Sequence, residues 1–466
     1  MISLDRPRTP SDLLKKVDRL FELSAAKIDA LERHWMAAWG APVFTVEGRY
    51  TTRGWTEWTE GFQYGASLIQ FDATGDRAFL ELGRERTLTR MAPHLTHVGV
   101  HDHGFNNVST YGALWRMARE QRYDAPDWEV RFYELALKVS GAVQARRWTT
   151  LPDGGYIYSF NGAHSLFVDT IRSLRAVALS HSLGHRLIEE QDAQVNLLAR
   201  LLQHARATAD YNIFYGRTSA PYDVRGRTAH ESLFNVANGT YRGPSTQQGY
   251  SPFSTWTRGL AWAMLGFAEQ LEWLATLPVD MLKRAGAPDA RTWMIDAARA
   301  TCDFYVDSAA CADGIPYWDT GAPGLASLGD WADRASDPFT DREPVDSSAA
   351  AIAAQGLLRL SRVLAGQGED GTRYEQAGLR VLDTLFDESG PYLCTNPAHQ
   401  GLILHSVYHW PNGWDHVPKG ARTPRGESSQ WGDYHAREAA LYVKRMARNE
   451  PYMTFFGPSA PDLRHE

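Results

Sequence analysis

The chain has 466 residues, 43% hydrophobic and 22% charged, with a net charge of −7 at neutral pH. Those are the proportions of an ordinary globular protein, which excludes a disordered, collagenous or disulfide-stapled chain. No Lys or Arg run is long enough to make a nucleic-acid face, and apolar stretches such as Gly259–Ala268 fall short of the roughly 18–20 residues of a membrane span. The start, Met1-Ile2-Ser3-Leu4-Asp5-Arg6-Pro7, lacks the apolar core of a signal peptide. Three scattered cysteines (Cys302, Cys311, Cys394) fit neither a disulfide framework nor a thiolate metal site. These features point to a cytoplasmic protein. The outlying number is aromatic: 16 Trp, 20 Tyr and 18 Phe. Pyranose C–H faces pack on indole, so Trp in loops beside Gly and His favours a carbohydrate ligand over additional core.

The first helix opens at Thr9-Pro10-Ser11-Asp12: a cap residue, Pro in the first turn and an acid three past the cap. Leu13, Val17, Leu20, Ile28 and Leu31 then form one apolar stripe. Further helical stretches follow at 57–72, 77–93, 104–120, 127–144, 163–182, 188–208, 255–276, 288–309, 346–365, 371–386 and 430–446. Strand signals are sparse. Links after the second, fourth, sixth and tenth helices are tight turns, such as Gly366-Gln367-Gly368, and the link near Leu277–Ala287 is slightly longer. The others (39–56, 94–103, 145–162, 209–254, 310–345 and 387–429) are long and hold much of the loop Gly, Trp, Tyr and His. Twelve helices with alternating short and long links predict six hairpins wound into a double ring, an all-α (α/α)6 barrel, as one domain over 1–466. Every long loop then emerges on one face, where a rigid scaffold carries function.

Three stretches can carry chemistry on that face. His101-Asp102-His103-Gly104-Phe105 precedes a helix. Asp102 reads either as the helix cap or as a carboxylate on the active face flanked by imidazoles. Asp169 lies in the apolar run Ser165-Leu166-Phe167-Val168-Asp169-Thr170-Ile171, read as helical. Burial raises the pKa of such a carboxyl and suits it to donate a proton. Arg258, in Trp256-Thr257-Arg258-Gly259-Leu260-Ala261-Trp262, sits at a helix start, where its charge opposes the dipole. A guanidinium between two indoles suits a two-point grip on a carboxylate, or a cation–π contact in the core. No third metal ligand accompanies His101-x-His103, so no metal site is expected.

Taken in order, these pieces resemble the unsaturated glucuronyl hydrolases of glycoside hydrolase family 88, with unsaturated rhamnogalacturonyl hydrolases as more distant relatives. The resemblance runs through His101-Asp102-x-Gly104-Phe105, Asp169, His230, Gln248-Gly249-Tyr250-Ser251 and Arg258-Gly259-x-Ala261-Trp262. It ends on Val345-Asp346-Ser347-Ser348-Ala349-Ala350 and Trp431-Gly432-Asp433-Tyr434. It implies removal of a terminal 4,5-unsaturated glucuronic acid from lyase-generated oligosaccharides. The C4=C5 vinyl ether is hydrated, and the hemiketal so formed opens and expels the remaining chain. No cofactor or metal is implied. Asp169 matches the general acid and base, and Asp102 the second carboxylate, which holds sugar hydroxyls and whose charge would raise Asp169 further. His101, His230, Gln248, Arg258 and Trp262 match pocket residues, and Ser428 is placed with them. The segment Asn212–Thr228 looks like an insertion, and Leu260 stands where the family commonly has Gln. Two other readings stay open: an exo-acting β-glucuronidase of saturated glucuronides, and a non-catalytic carbohydrate-binding toroid.

Overall fold

The computed structural model describes residues 1–54 and 57–457. The last two positions of the 39–56 connection, and residues 458–466 of the expected domain, lie outside the described residues. Among the described residues twelve long helices form: α1 (Leu14–His34), α2 (Glu60–Thr74), α3 (Arg77–Arg90), α4 (103–119), α5 (Asp127–Arg146), α6 (170–182), α7 (Leu197–Tyr211), α8 (Thr257–Leu274), α9 (290–309), α10 (Ser347–Ala365), α11 (Thr372–Leu385) and α12 (Gln430–Ala447). The π turn Val108–Gly112 interrupts α4, and a second, Tyr305–Ala309, ends α9.

The even-numbered helices pack in sequence: α2 on α4, α4 on α6, α6 on α8, α8 on α10, α10 on α12, and α12 back on α2. This closes an inner ring. The odd-numbered helices pack outside it, with α1 against both α12 and α2. The result is the expected (α/α)6 barrel.

The two rings differ in sequence for a physical reason. An outer helix has one wet face, so α11 buries Tyr374, Ala377, Gly378, Val381, Leu382 and Leu385 at three- and four-residue spacings. An inner helix is covered on both sides, so α8 buries every residue except Glu272. Inner backbones touch directly. A Cβ at Gly104 of α4 would lie 2.0 Å from the Ser173 carbonyl oxygen of α6. Charges at the ring centre are paired across helices. Arg172 of α6 meets Glu269 of α8 at 2.8 Å and Glu438 of α12 at 2.9 Å, and Arg359 of α10 meets Glu272 of α8 at 2.6 Å.

The loops hold more strand than the sequence predicts. Antiparallel pairs form between β1 (Phe44–Val46) and β2 (Arg49–Thr51), β3 (Trp148–Leu151) and β4 (Gly154–Ile157), and β6 (Leu187–Ile188) and β7 (Gln194–Val195). A three-stranded sheet joins β5 (Ser165–Phe167), β8 (Glu231–Phe234) and β9 (Tyr241–Ser245). Two expectations are corrected here. The stretch 163–182 is strand β5 followed by α6, and 188–208 begins as the β6–β7 hairpin before α7 starts at Leu197. Among the described residues no helix is long and apolar enough to cross a membrane.

Candidate active site

A cavity of about 240 Å³ opens where α4, α6 and α8 begin. Its apolar wall comes from Trp58, Phe105, Phe160, Trp256, Trp262, Tyr408 and Trp414. Its polar groups come from His97, His101, Asp102, Asp169, Gln247, Gln248, Arg258 and His409. Both carboxylates precede a helix. Asp102 occupies the N-cap position of α4 and Asp169 that of α6, yet neither side chain makes a capping bond. The capping reading of Asp102 therefore fails.

Asp169 is not inside a helix. Pairing of Phe167 with Glu231 ends strand β5, and the Val168 N–H donates to the His230 carbonyl at 3.0 Å. The chain then turns into α6 with Asp169 at the corner. His101 is fixed on the facing wall: its carbonyl accepts from Gln144 Nε2 at 2.8 Å and from Ser173 Oγ at 2.7 Å.

His101 links the two carboxylates. Its Nε2 lies 3.1 Å from Asp169 Oδ1 and 3.5 Å from Asp102 Oδ1, so Nε2 carries the proton. Burial opposes a charged ring, but the Asp102 carboxylate and the hydrogen bond with Asp169 outweigh it and hold His101 above its ordinary value. Asp102 is pushed up to about 6, chiefly by burial, with the attraction of His101 working against the rise. Burial also pushes Asp169 upward, but the hydrogen bond and charge of His101 prevail, and it rests below the usual carboxylate value. This reverses the expectation that Asp169 is the raised acid. Asp102 therefore holds its proton more tightly than Asp169, whose carboxylate shares a hydrogen bond with His101 Nε2.

His230 stands behind this group, its ring 4.4 Å from Phe167 and 4.6 Å from Trp256. Its Nδ1 accepts from the Gln247 N–H at 3.0 Å, which leaves Nε2 as the protonated nitrogen. Burial pushes its pKa down to about 4, so the ring is neutral. The His230 Nε2–H, His101 Nδ1 and His409 Nδ1 are buried without partners among the described residues. Trp262 lines the cavity and packs on Phe105 at 4.9 Å and His435 at 4.9 Å.

Arg258 reaches the cavity wall with most of its N–H groups already engaged. Nη1 donates to Asp346 Oδ2 at 3.2 Å and to the Val407 carbonyl. Nη2 donates to Gln248 Oε1 and to the Tyr408 carbonyl, both at 2.8 Å. Its guanidinium lies over two indoles, at 4.6 Å from Trp256 and 4.8 Å from Trp431, the second being Trp431 rather than Trp262. This arrangement positions Gln248 and the loop after Val407. The two-point grip on a ligand carboxylate that the sequence suggested has few donors left to make it.

Ser428 is not brought to the cavity. It is fully buried, its hydroxyl donates to the Ile403 carbonyl, and its N–H donates to Thr45 Oγ1 at 2.8 Å. Asp433 is likewise structural, accepting from Tyr50 Oη at 2.8 Å and from the N–H groups of Leu402 and Ile403 at 2.8 and 2.9 Å. Sequence reasoning missed Trp58, His97, Phe160, Tyr408, His409 and Trp414. The only available signal was their type and loop placement. Tyr408 and His409 are held by Asp415, which accepts from their N–H groups at 2.5 and 2.8 Å and shapes that loop.

No family model matches the chain. An unsaturated glucuronyl hydrolase of Bacillus sp. (strain GL1) is 26% identical over 409 residues, covering 85% of this chain and 89% of its own. The chain is a relative of the unsaturated glucuronyl hydrolases. An unsaturated chondroitin disaccharide hydrolase of Streptococcus pyogenes serotype M1 is 25% identical over 403 residues, covering 85% of this chain and 84% of its own. The crystal structure of the unsaturated glucuronyl hydrolase from Bacillus sp. GL1 superposes with a TM-score of 0.69 at 20% identity, over 97% of this chain and 100% of that one. The shared toroid is the (α/α)6 barrel read from the helix pattern. Among the described residues no group of three or more His, Cys, Asp or Glu side chains is arranged to hold a metal ion.

Proposed function

We propose that the protein is a glycoside hydrolase that removes a non-reducing-end 4,5-unsaturated glucuronic acid from lyase-generated oligosaccharides by hydrating the C4=C5 bond. The observation that carries this reading is the imidazole of His101 held between two buried carboxylates at the wall of an aromatic-lined cavity. Protonating an enol-ether carbon needs a neutral acid beside the carbon, and the free protein stores the proton on His101. The substrate bears a carboxylate on C5, next to C4. Any acid within reach of C4 therefore gains an anionic neighbour when substrate binds, and like charge raises its pKa. The proton then moves from His101 Nε2 to Asp169 across their hydrogen bond. Asp169 gives it to C4, and the oxocarbenium that forms at C5 takes up water. The Asp169 carboxylate removes the proton from that water, restoring the starting state. The C5 hemiketal opens, and the C1 hemiacetal left behind releases the leaving sugar.

In this scheme Asp102 accepts sugar hydroxyls, Trp262 and the other aromatics pack the pyranose face, and the orphaned His230 Nε2–H and Gln248 bind polar atoms of the uronate. Arg258 acts through Gln248 and the 407–408 backbone. Residues 1–466 are read as one catalytic domain, supported by the contact of the first long helix, α1, with the last, α12.

The direct test is loss of the ultraviolet absorbance of unsaturated disaccharides from chondroitin, hyaluronan, heparin, xanthan and ulvan on adding protein. At least one of them is expected to lose absorbance. Followed against pH, kcat/KM should fall as pH rises through the raised pKa of His101, because the stored proton is lost. A profile level across that range would remove His101 as the proton store, and inertness toward all five would reject the activity.

A further inference from the structure

Beside the cavity lies an exposed aromatic surface that the reaction above does not use. Tyr250 and Phe253 are each 51% exposed and Tyr222 is 39% exposed. The Tyr222 and Phe253 rings lie 4.9 Å apart, and Phe214 backs Tyr222 at 5.8 Å. Three large aromatics left in water at one place mark a binding surface more often than a packing accident.

The surface is continuous with the cavity and rigid. Gln247 and Gln248 line the cavity, and the chain runs from them straight into Tyr250. The Tyr250 N–H donates to Asp319 Oδ2 at 2.8 Å, Gly249 N–H to Thr246 Oγ1 at 2.8 Å, and Phe253 N–H to Ser251 Oγ at 3.1 Å. Tyr222 comes from the segment 212–228, which is tied to the same loop. Thr228 N–H donates to Thr255 Oγ1 at 3.1 Å, and Arg227 Nη2 donates to the Pro252 carbonyl at 3.4 Å. Rings held in place by backbone bonds lose little entropy on binding.

The charges nearby are paired or hidden: the exposed Arg217 and Arg225 lie 4.0 and 2.7 Å from Asp296. Arg227 is buried with its guanidinium 4.7 Å from the Phe214 ring, and Asp223 accepts the N–H groups of Gly216 and Thr218 at 2.9 and 2.6 Å. An uncharged aromatic shelf suits the C–H faces of pyranose rings rather than their sulfates or carboxylates.

We propose that Tyr250, Phe253 and Tyr222 form a stacking ledge for the third and later sugar rings of an oligosaccharide whose terminal uronate occupies the cavity. The segment 212–228 thereby gives the protein a preference for chain length. This rests on the reading of the cavity as the uronate pocket, and the test separates the two. Unsaturated di- and tetrasaccharides of hyaluronan are compared by loss of absorbance. Wild-type kcat/KM should be about tenfold higher for the tetrasaccharide. Phe253→Ser and Tyr222→Ser, made separately, should each bring the tetrasaccharide value down toward the disaccharide value, and turnover of the disaccharide reports an intact fold and cavity. Equal wild-type values for the two lengths, or equal losses on both substrates in the variants, would overturn the ledge. If neither length is turned over, calorimetric titration of the tetrasaccharide decides the ledge. A drop of about tenfold in affinity in Phe253→Ser upholds it, and an unchanged affinity overturns it.

Discussion

Asn in place of Asp169 lowers kcat by about 10²–10⁴-fold while the protein stays folded. The side chain sits at the β5–α6 corner, where the backbone is held by the Val168 N–H to His230 carbonyl bond at 3.0 Å rather than by the carboxylate. An amide oxygen still accepts from His101 Nε2, so the local shape survives. What disappears is the capacity to take a proton from His101, hand it to C4 and recover it from water. Steady-state kinetics beside a thermal melt make the check. Near wild-type turnover takes Asp169 out of the mechanism, and a collapse of the melt makes the residue structural.

Arg258→Ala costs about 3–5 kcal/mol of stability, because it leaves the Asp346 carboxylate buried without its cation. The carbonyls of Val407 and Tyr408 lose their donor at the same time. Asp346 itself is fully buried at the start of α10, where it also accepts from Ser348 and the Val407 N–H. Arg258→Lys discriminates between positioning and direct binding. Lysine retains charge but not the planar fork that reaches four acceptors. If Arg258 positions the wall, this variant melts at lower temperature and loses kcat together with KM. A raised KM with an unaltered melt and kcat would return Arg258 to gripping the substrate carboxylate.

The helices were legible because the barrel writes its rings into the sequence. Outer helices such as α11 show a stripe, inner ones such as α8 an unbroken apolar run, and the link lengths alternate. The run Ser165-Leu166-Phe167-Val168 was misread because a short apolar stretch does not distinguish strand from helix. What decides it is pairing with Glu231–Leu233, far along the chain. Asp102, Asp169, His101, Gln248, Arg258 and Trp262 were found by motif, and they do meet at one cavity. Their protonation was not legible. Burial of Asp169 was foreseeable, but the His101 contact that overrides it is a matter of ångströms. The engagement of Arg258 was equally hidden, since its acceptors lie at Asp346, Val407 and Tyr408, brought to it only by ring closure. Ser428 was grouped with the pocket from a nearby motif, whereas its hydroxyl is used by Ile403.

In the proposed reaction the proton goes to carbon C4 and water to C5, and the anomeric carbon is never attacked. Turnover of an unsaturated disaccharide in heavy water, followed by NMR of the product, tests this most directly. Hydration of the vinyl ether places deuterium at C4 of the released uronic acid, and saturated aryl glucuronides are poor substrates. A product with no deuterium at C4, together with fast release from a saturated glucuronide, would contradict the account and assign the cavity to attack at the anomeric carbon.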